Sequence, residues 1–170
     1  MAGLYIHFPF CLKKCNYCDF YSIERQQGLV PQFIGALQKE IGLYSETKSE
    51  NVPVETIYLG GGTPSFLPEE EMAAVLDAVA LSFQVDPNPE ITIEANPGTL
   101  TLNKLAFYRE IGINRISIGV QSIHKEELEL LGRVHNSVEG IDAIRLARKA
   151  GFENLNTDLI YGLPGQTLDK

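Results

Sequence analysis

Three cysteines, Cys11, Cys15 and Cys18, fall within eight residues of one another, and the 170-residue chain has no other. An odd number cannot form a fully paired disulfide framework, and the opening Met1-Ala2-Gly3-Leu4-Tyr5 lacks the basic segment of a secretory leader. Reduced thiols clustered on one short loop, in a chain expected to be cytoplasmic, read first as metal ligands. Structural zinc wants four closed ligands, commonly in two separated pairs. Only His7 lies near enough in sequence to complete a Cys3His site, so a zinc-stabilised binding module stays open as an alternative. An iron–sulfur cluster suits the spacing better. Soft thiolates select it, a Cx3Cx2C loop can wrap one cubane, and three thiolates leave one iron open to a small molecule.

The rest of the composition excludes more than it selects. With 44% hydrophobic and 21% charged residues the chain can build a core, which argues against disorder. No apolar run approaches the roughly 18–20 residues of a membrane span. Fourteen basic against twenty-two acidic residues give a net charge of −8, the wrong sign for broad nucleic-acid binding.

Hydrophobic periodicity predicts strands alternating with helices. Leu4–Phe8 is a strand running straight into the cysteine loop, and Val30, Phe33, Ile34, Leu37, Ile41 and Tyr44 fall at helical spacing. Thr56–Leu59 is a strand expected to stop at Gly60-Gly61-Gly62. Pro68, placed in a first helical turn, opens a helix with Met72, Val75, Leu76 and Val79 on its apolar face. Ile91–Ala95 and Arg115–Val120 are strands, separated by a helix from Leu102 to Glu110 that Gly112 stops. A short helix near Glu126–Leu131 follows, then one that Ser137 caps and Gly151 ends, and then a fifth strand, Leu155–Ile160. A weak internal repeat, Arg109-Glu110-Ile111-Gly112-Ile113-Asn114-Arg115 against Arg148-Lys149-Ala150-Gly151-Phe152-Glu153-Asn154, marks two equivalent helix ends. The pattern predicts α/β architecture with a parallel sheet, doubly wound or barrel-like.

Buried parallel strands read as continuous apolar runs, yet these alternate. Thr92 and Glu94 share one face, as do Ser117, Gly119 and Gln121, and Asn156 and Asp158. Crossover helices must cover at least one face, so a curved sheet with a polar lumen is the economical reading. Chemistry in such folds gathers at the carboxyl ends of strands. Here those ends carry the cysteines, Gly60-Gly61-Gly62-Thr63-Pro64, Glu94, Gln121 and Asp158. The glycine run is expected to let a ligand approach closely and to present free amides. Glu94, Gln121 and Asp158 together suit a ligand with an ammonium group and hydroxyls, and Arg133 could supply the partner for a carboxylate.

These residues resemble a known family. Cx3Cx2C after a first strand, with Tyr17 just before the last cysteine, resembles the radical S-adenosylmethionine (SAM) superfamily. Tyr5-Ile6-His7-Phe8-Pro9-Phe10-Cys11, Gly60-Gly61-Gly62-Thr63-Pro64-Ser65, Ile118-Gly119-Val120-Gln121-Ser122 and Asp158-Leu159-Ile160-Tyr161-Gly162-Leu163-Pro164 are similar to the oxygen-independent coproporphyrinogen oxidases and the related haem chaperones, the HemW group. The resemblance implies that Cys11, Cys15 and Cys18 ligate a 4Fe–4S cluster whose open iron chelates S-adenosylmethionine. It implies cofactor contacts from Tyr5, Tyr17, Gly61, Gly62, Thr63, Glu94, Gln121, Arg133 and Asp158.

It also implies a parallel partial (β/α)6 barrel, of which this sequence is expected to hold about five βα units, with residues 1–170 an incomplete N-terminal core. Oxidases of the family carry a fourth cysteine two residues after the third, where this chain has Phe20. That departure, with Phe20-Tyr21-Ser22 and Leu131-Gly132-Arg133-Val134-His135-Asn136, favours the chaperone group over the oxidases. The partners so implied are haem, recipient haemoproteins and an electron donor such as a flavodoxin-type reductant. Haem contact is expected from a C-terminal region beyond this sequence.

Overall fold

Apolar strands alternating with helices build one parallel sheet in the computed structural model, which describes residues 2–46 and 52–167. In chain order the elements are β1 (Ala2–Phe8), β2 (Phe10–Cys11), β3 (Ile23–Glu24), α1 (Val30–Glu46), β4 (Val54–Gly61), α2 (Glu69–Ser82), β5 (Val85–Ala95), α3 (Leu102–Glu110), β6 (Arg115–Gln121), α4 (Lys125–Leu131), α5 (Ser137–Lys149) and β7 (Asn154–Leu159). The main sheet has the order β1-β4-β5-β6-β7, every pair parallel, while β2 and β3 form a two-stranded patch of their own.

Sequential order means that each crossover steps the same way with the same hand, so the helices collect on one face. One apolar cluster there joins Ile57, Leu59, Ile91, Ile93, Ile116 and Ile118 of the strands to Ile34 and Ile41 of α1, Val75 and Val79 of α2, Tyr108 of α3 and Ala147 of α5. The opposite face keeps the polar residues, and the register lines them up. Tyr5 lies beside Tyr58, Tyr58 beside Thr92, Glu94 beside Ser117, Ser117 beside Asn156 and Gly119 beside Asp158. Thr92 and Ser117 are only 1% and 5% exposed, so the centre of this face is covered, while Tyr5 on β1 and Asn156 and Asp158 on β7 are exposed at its edges. The described strands do not close, and β1 and β7 are the edges of the sheet.

Several boundaries differ from expectation. The strand expected to stop at Gly60 runs through Gly61, because the sheet register with β1 continues that far. Pro68 stands one residue before α2. Asn136, not Ser137, caps α5: its side chain accepts from the amides of Val138 and Glu139, and Glu139 returns a carboxylate to the Asn136 amide. The internal repeat is real in three dimensions. Ile113 and Phe152 donate to the carbonyls of Tyr108 and Ala147 across glycines with φ of +93° and +90°, and Arg109 and Arg148 reach back to the carbonyls of Ile113 and Phe152. Both are Schellman ends that turn the chain into the next strand.

Candidate functional site

The cysteine loop leaves β1 and is fixed from three sides. Ile23 and Arg25 donate to the carbonyls of Pro9 and Cys11, closing the β2–β3 patch. The Cys18 amide donates to the Cys15 carbonyl, which makes the four residues Cys15-Asn16-Tyr17-Cys18 a tight turn. Asn16 sits on the C-terminus of α4: its backbone amide reaches the Leu131 carbonyl at 3.0 Å and its side chain the Leu130 carbonyl at 2.9 Å. Such carbonyls lack partners inside a helix, so the loop and the helix end satisfy each other.

Alongside the loop runs the end of β4. The amides of Gly62 and Thr63 donate to the carbonyls of Phe8 and Phe10, and Gly61 donates to Glu94. The amides expected to face a ligand are therefore taken up by protein. What glycine provides is clearance: a Cβ on Gly62 would lie 2.7 Å from the Phe10 carbonyl and 3.0 Å from Cys11 Sγ. Gly61, with φ of +114°, is equally crowded by the His7 ring.

All three cysteines border one cavity of about 390 Å³ at the carboxyl end of the sheet. Tyr17, Gly61, Gly62 and Thr63 line it near the loop, and Glu94, Gln121, Arg133 and Asp158 line it towards the lumen. Tyr5 alone among the expected residues stands outside the lining; its hydroxyl donates to His7 Nδ1 at 2.9 Å. Glu94 accepts from the Tyr58 hydroxyl at 2.8 Å and from Gly61 at 3.0 Å. Asp158 accepts from Asn156 at 2.8 Å and more weakly from Ser117. Gln121 adopts φ of +68° at a register shift between β6 and β7, a strained conformation of the sort that gathers at functional sites. Arg133 donates to the Gly119 carbonyl at 2.6 Å and to Cys15 Sγ at 3.3 Å.

The electrostatics follow this packing. Burial pushes the Tyr17 hydroxyl up to about 12; Arg133 beside it pulls the other way, and the Cys15 and Cys18 charges add to the rise. Burial also raises Tyr58, which the hydrogen bond to Glu94 and the Glu94 charge reinforce. Both phenols therefore stay protonated at physiological pH; Tyr58 donates to Glu94, while Tyr17 accepts from Arg133.

Residues 5–170 match the Radical SAM superfamily. The chain belongs to that superfamily. Among radical SAM relatives, the "Heme chaperone HemW" of Haemophilus influenzae is 38% identical over 99% of this chain and 45% of its own length. The "Oxygen-independent coproporphyrinogen-III oxidase-like protein HemZ" of Bacillus subtilis is 44% identical over 97% of this chain and 34% of its own length. The solved coproporphyrinogen III oxidase HemN of Escherichia coli, a radical SAM enzyme, superposes with a TM-score of 0.90 at 36% identity, over 97% of this chain and 38% of that one. The chain thus spans less than half the length of these relatives.

A radical SAM fold implies a 4Fe–4S cluster and S-adenosylmethionine, and the residues present fit both. Three thiols share a cavity with carboxylates, amides and a guanidinium, while Gly62 keeps the space beside Cys11 open. Among the described residues no three His, Cys, Asp or Glu side chains converge on a point where one ion could sit. His7 bonds Tyr5 through Nδ1 and the Tyr21 carbonyl through Nε2, and it stands outside the lining of the cavity that the three cysteines border. Among the described residues no helix is long and apolar enough to cross a membrane.

Two residues escaped the sequence reading. Tyr58 holds Glu94, and its place between Ile57 and Leu59 on an alternating strand was a usable signal. Asn16 had none: its partner is 114 residues away.

Proposed function

We propose that residues 1–170 form the cluster- and S-adenosylmethionine-binding part of a cytoplasmic haem chaperone of the HemW kind, which binds haem and delivers it to haemoproteins. Cys11, Cys15 and Cys18 hold the cluster. Glu94 and Asp158 offer carboxylates to the cofactor's ammonium and hydroxyl groups, and Arg133 offers its guanidinium to the carboxylate. Tyr5, Tyr17, Gln121 and the backbone at Gly61, Gly62 and Thr63 shape the rest of that site. When bound and reduced, the cluster supplies an electron to the cofactor; the protein's part is to orient it and exclude water. A flavodoxin-type protein is the expected reductant, and residues 1–170 are expected to bind haem with less than full affinity.

One observation carries this reading: the three thiols and the polar lumen residues of three strands border the same cavity. Anaerobic reconstitution with iron and sulfide tests it. A brown protein with broad visible absorbance, lost in Cys15→Ala, is expected, and stoichiometric zinc without that chromophore would reject it. Haem titration of residues 1–170 beside a longer chain tests the location of the haem site, with equal affinities contradicting it. The likeness to HemN supports a second reading, coproporphyrinogen oxidation. Against it stands Phe20, 70% exposed at the cavity rim where the oxidases of this family carry their fourth cysteine. Decarboxylation of coproporphyrinogen by the longer chain would decide for the oxidase.

A further inference from the structure

Two of the three thiols already have hydrogen-bond donors aimed at them. Arg133 Nη1 lies 3.3 Å from Cys15 Sγ, and Thr63 Oγ1 lies 3.5 Å from Cys11 Sγ. Cys18 Sγ has no donor among the described residues.

Neither donor is free to wander. Arg133 is the residue after Gly132, whose φ of +71° ends α4, and its own amide closes that end on the Leu128 carbonyl at 2.9 Å. The Gly119 carbonyl holds its second terminal nitrogen at 2.6 Å. A Cβ at residue 132 would lie 2.9 Å from Asn16 Oδ1, so the same helix end grips the cysteine loop and aims the guanidinium. Thr63 is fixed by its amide bond to the Phe10 carbonyl, one residue before Cys11.

We propose that Arg133 and Thr63 set the reduction potential of the cluster by donating hydrogen bonds to the Cys15 and Cys11 thiolates. The assignment rests on the cluster reading above. Reduction adds one electron from an external donor and neither makes nor breaks a bond. The added charge spreads onto the sulfurs, where a hydrogen-bond donor stabilises the reduced state more than the oxidised one and raises the potential. Arg133 carries a full positive charge and contributes more than the Thr63 hydroxyl. It also stands ready for a ligand carboxylate, so binding of a carboxylate would draw on the same guanidinium and couple cofactor binding to potential.

The test is a midpoint titration of the reconstituted chain with titanium(III) citrate, followed by visible absorbance and EPR, beside iron and sulfide analysis. Arg133→Gln is expected to move the midpoint to a more negative potential, and Thr63→Val to move it the same way by less. Lys39→Gln, which removes a positive charge from an exposed site on α1 outside the cavity lining, is expected to leave it nearly unchanged. A wild-type midpoint in Arg133→Gln, or an equal shift in Lys39→Gln, overturns the proposal. Should Arg133→Gln fail to hold a cluster, Thr63→Val decides alone: its shape and backbone bonds are kept, and an unshifted midpoint overturns the idea. A wild-type chain that takes up no iron or sulfide overturns the cluster reading itself, and this assignment with it.

Discussion

The side-chain amide of Asn16 donates to the Leu130 carbonyl at 2.9 Å, fastening the cysteine loop to the end of α4 across 114 residues of sequence. Its backbone amide bonds the next carbonyl, Leu131, at 3.0 Å. Asn16→Ala removes the side-chain bond at an exposed position and is expected to cost about 1 kcal/mol. Thermal unfolding should show that small loss, and the reconstituted variant should release iron to a chelator faster than wild type.

Gly62 separates the end of β4 from Cys11 with no room for a side chain. Gly62→Ala places a Cβ 2.7 Å from the Phe10 carbonyl, which is backbone and cannot swing away. Overpacking of this kind costs roughly 1–3 kcal/mol. Denaturant unfolding should register that loss, with iron content after reconstitution falling well below wild type. Gly98→Ala, whose Cβ meets nothing closer than 3.9 Å, serves as the control and should be nearly neutral in both.

Much of this arrangement was legible in the sequence because it follows from short-range periodicity. Alternation at Thr92-Glu94 and Ser117-Gly119 marks a face that buried parallel strands do not ordinarily have, and the register turns that alternation into a lumen. Cysteine spacing and strand-end glycines are equally local. The departures come from contacts distant in sequence. Nothing near Asn16 announces α4, nor does the glycine run reveal that its amides serve Phe8 and Phe10. The Asn136 cap was missed for a smaller reason, as Ser137 beside it is an equally good capping residue by type.

Glu94 accepts from Tyr58 and Gly61, so its carboxylate is held in place before any ligand arrives. Glu94→Gln keeps the shape and one acceptor but loses the charge. A charge-assisted hydrogen bond contributes about 1.5–3 kcal/mol, so S-adenosylmethionine should bind roughly tenfold to a hundredfold more weakly by calorimetry. Tyr58→Phe leaves the charge and frees the carboxylate to reorient, and a smaller loss of affinity is expected.

His135 is 3% exposed; its Nε2 donates to the Val120 carbonyl at 3.0 Å. Burial first, and then the positive charge of Arg133, hold its pKa below the ordinary 6.5, against the opposing pull of the Val120 bond and the Glu139 charge. The folded protein keeps this ring neutral while the unfolded chain takes up a proton as pH falls through 6.5. Its contribution to stability is therefore complete above that pH and lost progressively below it. Thermal unfolding of the apoprotein should shift downward from about pH 7 to about pH 5, and His135→Gln should flatten the part of that slope due to this ring.

The central claim is that three thiolates hold a cluster with one open iron inside the cavity that the lumen residues line. The most direct measurement is the EPR spectrum of the reconstituted, reduced chain with and without S-adenosylmethionine. The predicted result is a cluster signal that is absent in Cys15→Ala and changes shape when the cofactor is added, because the cofactor binds iron. A cluster signal identical with and without S-adenosylmethionine would contradict it.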